Sequence, residues 1–137
     1  MTDVVAKANE YWESLSQEIE NYHGDRRKGP KMITTSQIRK FLSAVNAVAN
    51  KVTIYKAQNQ GKKDLSEELA AEIKYLQVLL VYQAGRDTDG TVKKFVRETH
   101  LLEEINKIGT NLKAFEEFAK YIEALVAYHK YYGGKEK

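Results

Sequence analysis

Three histidines and three adjacent glutamate pairs are the residues through which this chain might do acid–base or metal chemistry, and their spacing works against both. His23, His100 and His129 are scattered. None sits in the i, i+4 arrangement that brings two imidazoles to one metal ion. The pairs Glu67-Glu68, Glu103-Glu104 and Glu116-Glu117 are neighbours in sequence. On a helix, successive side chains diverge by about 100°, so such carboxylates do not converge on a substrate. Cysteine is absent, which excludes a disulfide framework, a thiolate metal site and a thiol nucleophile. Glycines come singly apart from Gly133-Gly134, so no phosphate-cradling loop is present. The expectation is a chain that is not an enzyme and needs no cofactor or metal.

A different chemistry is readable between residues 34 and 58. Ile38, Phe41, Leu42, Val45, Val48, Ala49, Val52 and Tyr55 recur at helical spacing and form an apolar stripe. Plotted at 100° per residue, the opposite face collects Arg39, Ser43, Asn46 and Asn50, with Lys40 and Lys51 on a neighbouring edge. This polar ridge runs ~16 Å along the axis at 1.5 Å per residue. Guanidinium, ammonium, hydroxyl and carboxamide groups on one ridge suit a sugar-phosphate backbone. Arginine grips phosphate with two prongs, lysine offers a point charge, and Asn or Ser reaches phosphate or a 2′-hydroxyl. Any exposed helix face needs polar residues, but a generic solvated helix mixes both signs of charge. Here no acid occurs from Arg26 to Lys63.

The charge distribution sharpens that reading. The net charge is +3, yet residues 24–63 hold ten Lys or Arg against Asp25 alone. Residues 1–23 hold five acids against one Lys. A concentrated basic segment is the electrostatic footprint of a polyanion partner. On charge and position, Lys31, Lys56, Lys62 and Lys63 join the candidate contacts. A helix-turn-helix reader is not expected, because the ten-residue loop before this helix is too long for the motif's tight turn. Tyr121, Tyr128, Tyr131 and Tyr132 are read as packing or protein-interface residues rather than as stacking platforms for bases.

The elements that position these groups are helical. The spacing predicts an all-α fold, a compact bundle of about five helices: 3–23, 34–58, 67–86, 91–107 and one opening after Asn111. Val5, Ala8, Trp12, Leu15, Ile19 and Tyr22 form the first stripe. Thr34 followed by Gln37 is a capping-box pattern, and Asp64-Leu65-Ser66-Glu67 is a second capping signature. From Leu76 to Tyr82 the third helix is apolar nearly all round, which predicts a central helix that the others surround. Length fits one domain, 1–137: the N-terminal helix (1–23), a basic loop (24–33) and a helical core (34–134). No apolar run approaches the ~20 residues of a membrane span, and the acidic N-terminus lacks the layout of a signal peptide. A cytoplasmic protein with no membrane role is expected.

Three segments carry a resemblance. They are Ile33-Thr34-Thr35-Ser36-Gln37-Ile38-Arg39-Lys40-Phe41, the stretch from Tyr75 to Arg86, and Ala124-Leu125-Val126-Ala127-Tyr128-His129-Lys130-Tyr131-Tyr132-Gly133-Gly134. In this order the chain resembles the small subunit of the type III-A CRISPR (Csm) effector complex, over residues 31–134. The resemblance implies a helical protein without nuclease activity. Several copies would stack as a filament along the guide and target RNA, beside the backbone and large subunits, and touch the RNA without reading its sequence. It carries an RNA-contact role onto Arg39, Lys40 and Arg86. Arg86 has a competing use, since a cation in a last helical turn favours the helix dipole. The alternative is a helical scaffold with no nucleic-acid role. It would self-associate, a homodimer included, through the Trp12 stripe or the C-terminal tyrosines.

Overall fold

The computed structural model describes residues 3–25 and 27–134. Arg26 of the basic loop and the charged tail 135–137 lie outside the described residues. Six α-helices account for most of the rest: α1 (Val4–Glu20), α2 (Thr35–Gln58), α3 (Glu67–Arg86), α4 (Thr91–Thr99), α5 (Leu101–Ile108) and α6 (Leu112–Tyr131). Among the described residues there is no strand. The nearest approach is an isolated bridge between Asp64 and Asn111, which ties the α2–α3 connection to the start of α6.

Local chemistry sets the helix ends. Thr34 accepts a hydrogen bond from the Gln37 amide while the Gln37 side chain accepts one from the Thr34 amide, the expected capping box. Ser66 caps α3 through the Leu69 amide, and Asn111 caps α6 through the Ala114 amide. The segment expected as one helix over 91–107 is two. His100 adopts φ 58° and ψ 31°, which breaks the ladder between α4 and α5. The Thr99 hydroxyl donates back to the Phe95 carbonyl at 2.6 Å, a bond that competes with continued helix.

The centre of the bundle is α6, not α3. α6 packs on α1, α2 and α5, and buries Leu112, Phe115, Phe118, Tyr121, Ile122, Leu125 and His129. α3 packs on α2, α4 and α5 through Leu69, Ile73, Leu76 and Leu80, while Tyr75, Val78, Leu79, Val81 and Tyr82 face outward. All-round apolarity therefore does not mark a helix that this chain encloses. Trp12 corrects a second expectation. It is fully buried, donates from Nε1 to the Leu125 carbonyl at 2.8 Å and stacks on Phe95. Ala8, Trp12 and Leu15 are thus unavailable for self-association, while Val5, Ile19 and Tyr22 of the same stripe stay exposed.

Candidate nucleic-acid interface

The polar ridge of α2 forms as its spacing implies. Ile38, Phe41, Val45, Val48 and Val52 are buried on one side, while Arg39, Lys40, Ser43, Asn46 and Asn50 are exposed. Among the described residues, neither Arg39 nor Lys40 enters an ion pair. They stand in the second turn of a 24-residue helix. Its N-terminal dipole adds partial positive charge close by.

The three sequence segments that carried the resemblance meet at this helix end. The Gln83 side chain on α3 donates to the Gln37 carbonyl at 2.6 Å. His129 on α6 donates from Nε2 to the Ile33 carbonyl at 2.6 Å. Two side chains from distant helices thus fix the backbone that flanks the cap and aim Arg39 and Lys40. Burial against Trp12, at 5.0 Å between rings, holds the His129 imidazole below its ordinary pKa and keeps it a neutral donor. Gly134 packs against the same ring, where a Cβ would overlap the imidazole. His129 is thus a packing residue with a specific bond. Nothing in its spacing pointed to Ile33.

Lys40 and Arg86 come together. They line one groove of about 190 Å³ between α2 and α3, with Phe41, Ala44, Leu79, Tyr82 and Gln83. The Arg86 guanidinium lies 5.7 Å from the Tyr82 ring centroid. The remaining candidates are spread out. Lys31, in the loop, approaches Asp89 at 3.9 Å. Lys51 is bound to Glu72 of α3 at 2.8 Å, and Lys56 to Glu116 of α6 at 2.9 Å. Lys62 and Lys63 are exposed in the α2–α3 connection. Lys62 and Lys63 thus stand at the opposite end of α2 from Lys40, roughly 24 Å from it or more at 1.5 Å per residue. The acid-free segment is therefore partly neutralised in space by acids from other helices.

The C-terminal tyrosines divide. Tyr121 is buried, Tyr132 donates to Asn9 Oδ1 at 2.6 Å, and Tyr131 is exposed. Among the described residues no group of His, Cys, Asp and Glu is arranged to hold a metal ion. No helix there is long and apolar enough to cross a membrane.

Comparison with known proteins decides the family. The Csm2 Type III-A family matches the chain over residues 9–135. The chain belongs to that family. Its relatives include the CRISPR system Cms protein Csm2 of Streptococcus thermophilus, 39% identical over 109 residues, or 80% of each chain. The protein of the same name from Mycobacterium tuberculosis is 36% identical over 112 residues, 82% of this chain and 85% of the relative. That of Enterococcus italicus is 37% identical over 103 residues, 73% of this chain and 68% of the relative. As a Csm2 small subunit, the chain has its partners among the subunits of the type III-A complex. The family match begins at residue 9, well before the first recognisable motif, and so takes in Trp12 and most of α1.

Proposed function

We propose that this chain is a non-catalytic, RNA-contacting small subunit of a type III-A CRISPR ribonucleoprotein acting in antiviral defence in the cytoplasm. Copies stack along the guide–target RNA duplex and bind its backbone without sequence specificity. Arg39 and Lys40 are the principal contacts, with Ser43, Asn46 and Asn50 extending the ridge and Arg86 joining Lys40 across the groove. Lys31, Lys51, Lys56, Lys62 and Lys63 contribute at longer range. The observation that carries this reading is the exposed, acid-free start of α2, where two unpaired cations precede a row of neutral hydrogen-bonding groups.

Phosphate contact by such a ridge predicts binding that weakens with salt and is indifferent to base sequence. The test is a complex co-expressed with backbone subunits, large subunit and guide RNA, purified through a tag on this chain alone. Native mass spectrometry is expected to recover guide RNA with the other subunits. In that complex, replacing Arg39 and Lys40 by Ala is expected to flatten the log–log salt dependence of target binding by up to ~0.7–0.9 per lost phosphate contact. An unchanged slope would remove both residues from the interface.

A further inference from the structure

We propose that the groove between α2 and α3 is a subsite for one unpaired RNA nucleotide, with its base stacked on Tyr82 and its phosphate held by Lys40 and Arg86. The proposal rests on the RNA-binding reading and deepens it, adding contact with a base where that reading has contact with the backbone alone. Tyr82 lines the groove and is 64% exposed. An exposed aromatic ring beside phosphate-binding cations is the combination by which proteins hold single strands. The base of a nucleotide needs a flat apolar platform, and its phosphate needs positive charge. Phe41, Ala44 and Leu79 give the groove an apolar lining, and Lys40 and Arg86 give it two cations.

Charge and size both select such a ligand. No acid lines the groove, and the carboxylate nearest in sequence, Asp87, is engaged in accepting from the Val92 amide at 2.8 Å. Among the described residues neither Lys40 nor Arg86 forms an ion pair. The Arg86 guanidinium lies over the Tyr82 ring at 5.7 Å from its centroid, within cation–π reach. A cation over one face leaves the other face of the ring to a base. At about 190 Å³ the groove is smaller than pockets that enclose drug-sized molecules, and suits a single planar ring. Inside a duplex the faces of each base are covered by its neighbours, so the nucleotide taken here is unpaired and unstacked. Stacking on a ring tolerates every base, which agrees with binding that ignores sequence. The groove adjoins the second turn of α2, so a strand lying along Arg39 and Lys40 reaches it directly.

The test compares two RNA probes on the full chain by fluorescence anisotropy: a labelled oligouridine and an abasic oligomer of the same length, which keeps the phosphates and riboses but has no bases. Tyr82→Ala is expected to weaken oligouridine binding by about fivefold or more. Tyr82→Phe, which keeps the ring, should bind as the natural chain does. On the abasic oligomer, Tyr82→Ala and the natural chain should bind alike, whereas Arg86→Ala should weaken binding to both probes. Tyr82→Leu, apolar but without a ring, should behave as Tyr82→Ala does and repeats the test should that variant disturb the helical circular dichroism. Oligouridine binding unchanged by either substitution would overturn the proposal and leave the groove to a protein partner. Equal losses on the two probes would overturn it as well, reducing Tyr82 to a support for Arg86. No binding of oligouridine by the natural chain at ~1 mM would also overturn it, and the salt test in the assembled complex would then decide the RNA-binding reading separately.

Discussion

At the scale of single residues, His129 joins more of the molecule than any cation on the surface does. Its ring packs on Trp12 of α1, its Nε2 donates to the Ile33 carbonyl just before α2, and Gly134 lies against the ring as well. Burial holds this imidazole deprotonated below its ordinary pKa. In the unfolded chain it binds a proton near the ordinary value of about 6.5. Between the two values the unfolded state carries more protons, so stability falls as pH drops through that window and levels off below the folded pKa. The thermal midpoint of the natural chain should therefore be lower at pH 5.5 than at pH 7.5. His129→Gln, which keeps a donor for Ile33 but cannot titrate, should show a smaller drop over the same interval. Equal drops in the two proteins would place the acid sensitivity elsewhere.

Helix ends and faces form the next scale, and there local chemistry and tertiary context part company. The caps at Thr34 and Asn111, and a start signal within 64–67, were readable in the sequence, because a cap is a bond between residues two or three apart. The break at His100 was not. No Gly or Pro marks it, and what favours it includes Tyr121, whose hydroxyl reaches back 22 residues to the Thr99 carbonyl at 3.4 Å. A left-handed residue with a Cβ costs roughly 1–2 kcal/mol. His100→Gly should therefore raise stability by about 0.5–1 kcal/mol, seen as a higher urea midpoint at unchanged slope. The exposed His100–Glu103 contact that it removes is worth little. A lower midpoint would mean that the imidazole itself holds the turn. The outward face of α3 misled sequence reading for the opposite reason. An apolar run does not say which of its residues the fold buries, and Tyr75, Val78 and Tyr82 stay exposed in this one.

For the molecule as a whole, the question is how far the positive field of α2 extends. Reading the chain in order gives an acid-free run from Arg26 to Lys63. The fold then brings Glu72 to Lys51 and Glu116 to Lys56, across 21 and 60 residues of sequence. Sequence spacing reveals which face of α2 is polar, but not which acids another helix lays beside it. The identity of the ridge was thus accessible and its electrostatic length was not. Among the described residues, the candidate contacts outside ion pairs are Arg39, Lys40 and Arg86 at one end of α2 and Lys62 and Lys63 at the other. Both ion pairs are exposed, so replacing Glu72 and Glu116 by Gln should change stability by less than ~1 kcal/mol. It should free two lysines for phosphate and steepen the salt dependence of target binding in the assembled complex by up to ~1.4–1.8. Glu10→Gln with Glu123→Gln, exposed acids on α1 and α6, raises the net charge equally and should leave the slope where it was. Equal steepening by both variant pairs would reduce the effect to net charge. No steepening by either would confine the RNA path to the two ends of α2 and leave Lys51 and Lys56 as purely structural partners of their acids.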